Sequence, residues 1–305
     1  MQRREFVRQS ALVTGALAGG MACATTALPT TNSSEAFKID FAPHAGMFRH
    51  SAGEDVLDQI RFAADRGFRS WEDNGMPNRT PELQAKMGEL FVERNMRMGV
   101  FVCHTIEWST PSLALGAGEY RDRFLAEIDN SIEVAKRCNA KWMTVVPGFR
   151  DFRMEFDLQQ ANLVETLKQA AAKLESHGLI MVLEPLNFRD HPGMVLTKAS
   201  QAYLICKAVG SPSCKILFDV YHQQIQEGNL IPNIDASWDE IAYFQIGDNP
   251  GRKEPTTGEI NYANVLGHVH AKGFSGIYGM EHGNSQEGIK GEEAVIQAYR
   301  SVDAK

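Results

Sequence analysis

Four residues in the second half of the chain each close a run of apolar side chains with an oxygen-bearing group. Glu184 ends the run in Val182-Leu183-Glu184-Pro185-Leu186-Asn187, and Asp219 ends it in Leu217-Phe218-Asp219-Val220-Tyr221-His222. Gln245 does so in Tyr243-Phe244-Gln245-Ile246-Gly247-Asp248, and Glu281 in Tyr278-Gly279-Met280-Glu281-His282. A polar group so placed sits at the rim of a dry core. Three carboxylates converging there would repel and push up one another's pKa, a conflict that a bound cation removes. Three carboxylates and an amide oxygen form a hard, all-oxygen set, which predicts a divalent metal, Mg²⁺ or Mn²⁺, with waters completing an octahedron. Zinc would draw on His or Cys, and no thiol stands at these four ends. Glu72 and His104 close earlier runs in the same way; there a solvated or supporting place serves as well as a chemical one.

The elements that must position these groups alternate regularly. Short apolar or β-branched runs are expected to be strands at Phe37–Phe41, Ser70–Glu72, Gly99–His104, Trp142–Val146, Ile180–Glu184, Lys215–Asp219, Ala242–Ile246 and Ile277–Glu281. Between them lie helical patterns: Val56, Ile60 and Ala63 stopped at Gly67, then Phe124, Ile128 and Ile132, then Val164, Leu167, Ala171 and Leu174 stopped at Gly178. The i, i+3/4, i+7 spacing marks the helices and the trailing glycines their ends. Strand ends recur about every 34 residues, the length of one strand–helix unit. Eight such units without a linker predict an α/β fold, a closed (β/α)8 barrel in one domain over 37–305, rather than an open sheet opening on a Gly-rich phosphate turn. In such a barrel the chemistry stands at the C-terminal strand ends.

Three segments, Glu184-Pro-Leu-Asn187, Phe218-Asp-Val-Tyr-His-Gln223 and the long stretch from Gln245-Ile-Gly-Asp-Asn-Pro-Gly-Arg-Lys-Glu-Pro to Tyr262, resemble the hydroxypyruvate isomerases among the xylose-isomerase-like barrels. The resemblance runs from about Phe37 to the end. It implies that Glu184, Asp219, Gln245 and Glu281 hold the metal and that Glu184 and Glu281 also act as the acid/base pair. The implied reaction turns hydroxypyruvate into tartronate semialdehyde (2-hydroxy-3-oxopropanoate) through an enediolate. Such a reaction needs a base, an acid and a cation that holds both oxygens. Ketose 3-epimerases share the long loop but usually carry His where this chain has Gln245. The segments Thr105-Ile-Glu-Trp-Ser-Thr-Pro and His44-Ala-Gly-Met depart from the pattern, which leaves an epimerase or an inosose dehydratase on the same metal site as an alternative. A non-catalytic carbohydrate-binding barrel is the alternative outside enzymes. His222 is expected to hydrogen-bond a substrate hydroxyl or carbonyl, and His104 to contact the substrate. Arg252, whose fork matches a carboxylate, is expected to grip the substrate's acid group unless Glu254 or Glu259 pairs it.

The chain carries a net charge of −7 with both signs mixed, and no basic stripe points to nucleic acid. The expected partner is a small hydroxy-carbonyl or sugar substrate. Arg3-Arg4-Glu5-Phe6, followed by the uncharged run Ala11 to Ala22, reads as a twin-arginine export signal over 1–28, with a linker over 29–36. This predicts passage through the twin-arginine translocase to the periplasm, in preference to lipid anchoring at Cys23. Cys103, Cys138, Cys206 and Cys214 are expected to be free, buried thiols. Related barrels often pair, so a homo-oligomer is a further expectation.

Overall fold

A computed structural model describes residues 35–303; the export signal and most of the linker expected from the sequence lie outside them. Eight parallel strands follow one another around a barrel: Phe41–Ala42 (β1), Ser70–Trp71 (β2), Arg97–Met98 (β3), Trp142–Val145 (β4), Ile180–Leu183 (β5), Cys214–Asp219 (β6), Ile241–Gln245 (β7) and Tyr278–Gly279 (β8). Strands β4 to β8 and β1 form one continuous ladder, and β2 pairs with β3. Single bridges, His44 to Glu72 and Val102 to Thr144, join the two sets and close the ring.

The helices form where the periodicity placed them. Val56–Asp65 starts under an Asp55 side chain that accepts from the Leu57 amide, and buries Val56, Ile60 and Ala63. Glu119–Cys138 buries Phe124, Ile128 and Ile132 and stops at Asn139 in the left-handed region. Phe156–Glu175 buries Leu167, Ala171 and Leu174, and Gly178 beyond it has a φ of +64° that suits glycine.

Three expected strands differ, one being Ile277–Glu281, of which only Tyr278 and Gly279 are in β8 so that Glu281 stands beyond it. Of Phe37–Phe41 only Phe41 is in β1, because the Lys38 and Ile39 amides donate to the Asp303 carboxylate instead of to a neighbouring strand. The run Gly99–His104 follows β3 rather than forming it. Gly99 lies hard against the Tyr243 hydroxyl, and beyond it the contact with the β4 strand thins to bonds such as Thr144 N to Phe101 O (2.8 Å).

Strand residues alternate between two cores. One set packs outward under the helices, including Trp71, Met143, Met181, Phe218 and Phe244. The other fills the barrel itself: Ala42, Val100, Trp142, Val182, Leu217, Tyr243 and Ile277, all buried. This apolar plug forms the floor on which the strand ends stand.

A candidate metal and acid/base site at the strand ends

Asp219 is the last residue of β6 and the cap of the helix Val220–Gln226. Its Oδ1 accepts from the Tyr221 and His222 amides (2.8 and 3.3 Å), so only Oδ2 turns to the barrel axis. Across the ladder Asp219 is paired with Gln245, and Gln245 with Gly279. Adjacent strands lie about 4.8 Å apart, so register alone brings these tips together. Glu184 enters from β5, with its amide bonded to Val145 O (3.1 Å). Ligand atoms of Glu184, Asp219 and His222 all lie within 4.8 Å of one another. The Arg252 Nη2 bridges Asp219 Oδ2 (3.1 Å) and Glu281 Oε2 (2.6 Å). The four predicted oxygen-bearing residues are thus gathered at one mouth, with Arg252 and His222 beside them.

Glu184, Asp219, Gln245 and His222 are buried, whereas Glu281 keeps 26% of its side chain accessible. Burial, followed by the charges of Glu281 and Asp219, raises the Glu184 carboxyl well above the usual range. Loss of water in the mouth pushes Glu281 up to about 7, with the Arg252 guanidinium working against the rise. Each buried ion costs several kcal/mol unless compensated, and one guanidinium cannot balance three carboxylates. The donor set therefore has the excess charge that a divalent cation would neutralise. One further atom fits such an ion: Gln245 Oε1 is buried without a hydrogen-bond partner among the described residues.

His222 is a ligand by distance but a donor by chemistry. The Asn187 Oδ1 accepts from the Arg189 and Asp190 amides (3.0 and 2.9 Å), which fixes that side-chain amide with its nitrogen toward His222 Nδ1 at 2.7 Å. The Asn187 backbone N–H points at the same Nδ1 (3.3 Å). Nδ1 therefore accepts, and in the neutral ring Nε2 carries the proton. Burial holds the ring neutral by lowering its pKa to about 4. An Nε2–H suits a substrate oxygen, not a cation. Asn187 stood in the segment that carried the resemblance, but nothing in the sequence assigned it this part.

Arg252 takes neither partner the sequence offered. Glu254 binds the Ser285 amide (2.9 Å) and Glu259 the Asn249 side chain (2.8 Å). Its loop is held from inside by buried Asp248, which accepts from the Asn249, Gly258 and Ile260 amides (2.9, 2.8 and 3.1 Å). In this frame Arg252 has φ +50°, and its guanidinium lies over the Tyr221 ring at 4.9 Å. His104 is set differently. Its ring meets Phe124 edge-on, Nδ1 faces Thr105 O (3.0 Å), and it lines a neighbouring cavity of about 330 Å³ with Asn74, Asn78 and Glu127.

Sequence reasoning passed over Asn74, whose Nδ2 donates to Glu281 Oε1 at 3.0 Å. The partners are 207 residues apart, and a polar residue after Glu72-Asp73 gives no local sign of them. Cys103, Cys138, Cys206 and Cys214 are free and buried as expected.

The sequence model of the family described as Xylose isomerase-like TIM barrel matches residues 60–303. The chain is 34% identical to a hydroxypyruvate isomerase of Escherichia coli (strain K12) over 54% of its own length and 62% of that protein's. It is 28% identical to a 2-oxo-tetronate isomerase of Cupriavidus necator, covering 74% of this chain and 86% of the other. Among solved structures, an AP endonuclease, family 2, from Brucella melitensis superposes with a TM-score of 0.73 at 23% identity, over 83% of this chain and 96% of that one, a likeness that speaks for the fold alone.

Proposed function

From a chain that belongs to the xylose isomerase-like TIM barrel family, we propose a divalent-metal-dependent isomerase that shifts a carbonyl between adjacent carbons of a small 2-oxo acid, with hydroxypyruvate to 2-hydroxy-3-oxopropanoate as the favoured reaction. The observation that carries this reading is the pair Glu184 and Glu281 brought to one mouth around Asp219, Glu184 with a ligand atom within 4.8 Å of one on Asp219 and Glu281 tied to Asp219 through the Arg252 guanidinium. Relatives named for hydroxypyruvate and 2-oxo-tetronate support the substrate class.

Glu184, Asp219, Gln245 and Glu281 would hold the cation, Mg²⁺ or Mn²⁺. When bound it supplies electrostatic stabilisation of the charge that develops on the substrate oxygens. One glutamate removes the proton beside the carbonyl and the other returns a proton to the neighbouring carbon. The His222 Nε2–H donates to a substrate oxygen, held in aim by Asn187. Arg252 stands at the rim, where its fork can take the substrate carboxylate. The barrel plug keeps bulk water out from below.

The Arg3-Arg4 signal belongs to the same proposal as the route by which the enzyme reaches the periplasm; replacing both arginines by Lys would leave a precursor in the cytoplasm. The activity itself is tested by incubating Mn²⁺-loaded protein in D2O with hydroxypyruvate, 2-oxo-tetronate, several ketoses and an inosose. For hydroxypyruvate the expected NMR result is deuterium on the former carbonyl carbon of the product. Uptake from a ketose alone would move the assignment to an epimerase, and none from any compound would end the proton-transfer reading.

A further inference from the structure

Glu72 closes β2 on the far side of the barrel from Asp219, with 1% of its surface exposed, and takes no part in the acid/base pair. Its Oε1 accepts from Gln245 Nε2 at 2.8 Å, and its Oε2 accepts from the Tyr243 hydroxyl at 2.8 Å. Room for it is built in from β8, where a Cβ on Gly279 would run into Glu72 Oε2 and press on Gln245 Cγ at 3.1 Å. The strand partner of Gly279 is Gln245 itself.

A primary amide has two ends of nearly equal size and opposite chemistry. Gln245 could present either to the mouth, and only the oxygen serves a cation. Glu72 takes the Tyr243 O–H on Oε2 and meets the amide with Oε1, so both of its oxygens are placed as acceptors and the NH2 group is drawn to Oε1. The oxygen is then turned away from Glu72, and Oε1 of Gln245 is indeed buried with no hydrogen-bond partner among the described residues. We infer that Glu72 is a positioning residue that locks the Gln245 amide with its carbonyl oxygen toward the site, so that β7 supplies an oxygen ligand where a histidine would supply nitrogen. This rests on the metal-site reading above and names a residue that reading does not use. Partners behind a metal ligand typically change affinity by about 10–100-fold when removed.

The test has two readouts. Mn²⁺ alone is titrated into the protein and free Mn²⁺ is followed by electron paramagnetic resonance. Glu72→Leu is expected to raise the Mn²⁺ Kd by about 10–100-fold, and Glu72→Gln, whose own amide can turn an NH2 toward Gln245, is expected to raise it in the same direction by less. Gly279→Ala displaces the same carboxylate without removing it, should weaken Mn²⁺ in the same direction, and covers the case of a Leu variant that does not fold. In parallel, protein labelled with 15N-glutamine reports the Gln245 side-chain NH2, assigned by its absence in Gln245→Met. Its protons are expected to exchange slowly in wild type and quickly in Glu72→Leu. If wild type bound no Mn²⁺, the metal-site reading would fall, and the amide signal would still decide whether Glu72 orients Gln245. Folded Glu72→Leu and Gly279→Ala with wild-type Kd, or an amide signal indifferent to Glu72, would overturn the inference.

Discussion

The two halves of the barrel rim are built in different ways. On the β5 to β8 side, six residues of β6 and five of β7 lie in a continuous ladder, and every tip that could hold a cation stands there. On the β1 to β3 side each strand is two residues long, single bridges close the ring, and the polar tips brace members of the cluster, Glu72 at Gln245 and Asn74 at Glu281. An ion with ligand distances near 2.1 Å tolerates little displacement, and the ladder fixes Asp219 and Gln245 to that tolerance, while Glu281, two residues past the two-residue β8, is held by Arg252 and Asn74. Groups that shape a pocket or brace a ligand tolerate more, and they stand on loops. The half that carries chemistry is the stiff one.

The comparison is sharpest in turnover. Glu281→Gln keeps an oxygen at β8 but removes the proton-transfer group, so kcat should fall by about 10²–10⁴-fold with a modest loss of Mn²⁺ affinity; Glu184→Gln should behave alike. Near-normal steady-state rates in both would break the division of labour. Next in size is Arg252→Leu. A charge-assisted bond contributes about 1.5–3 kcal/mol, so the KM for a carboxylate substrate should rise by roughly 10–100-fold, while KM for an uncharged ketose hardly moves.

The other half should respond more gently. Trp108, 49% exposed, stacks on His191 with centroids 5.1 Å apart, a contact of about 0.5–1.5 kcal/mol. Trp108→Ala is expected to shift KM by no more than roughly tenfold and to leave kcat in place; a collapse of kcat would put chemistry on the wrong side of the rim. The last test concerns pH and reads stability rather than turnover. Burial lowers His282, beside Glu281, from 6.5 to about 3. Between those values the unfolded chain binds a proton that the folded one refuses, so this residue withdraws stability as pH falls below about 6.5. Melting curves from pH 7 to 4.5 should fall less steeply for His282→Asn than for wild type.

The same division governs what could be read from the chain. The tips of β5 to β8 announce themselves because each polar residue ends an apolar run, a local pattern that needs only the alternation of a strand. The helices were legible for the same reason, through Val56, Ile60 and Ala63 or Leu167, Ala171 and Leu174. The parts of Glu72, Asn74 and Asn187 were not. Glu72 meets Gln245 across 173 residues and Asn74 meets Glu281 across 207, so each pairing exists only once the ring has closed. Asn187 is near His222 in the chain, but its part depends on which end of an amide faces an imidazole, and residue type does not encode that. The β1 and β3 boundaries shifted because Asp303 and Tyr243, both distant in sequence, took over hydrogen bonds or space that a strand would have used.

The plug of Ala42, Val100, Trp142, Val182, Leu217, Tyr243 and Ile277 makes the barrel a cup rather than a tube. Traffic then has a single doorway: product leaves by the path on which substrate arrives, so the two exclude one another and product should inhibit competitively. A proton taken from one carbon also has no exit below. Taken by one glutamate while the other gives, it stays on that carboxyl until the mouth opens and it is lost to solvent. The rate at which solvent deuterium reloads the giving glutamate is in effect a clock for how long that doorway stays shut.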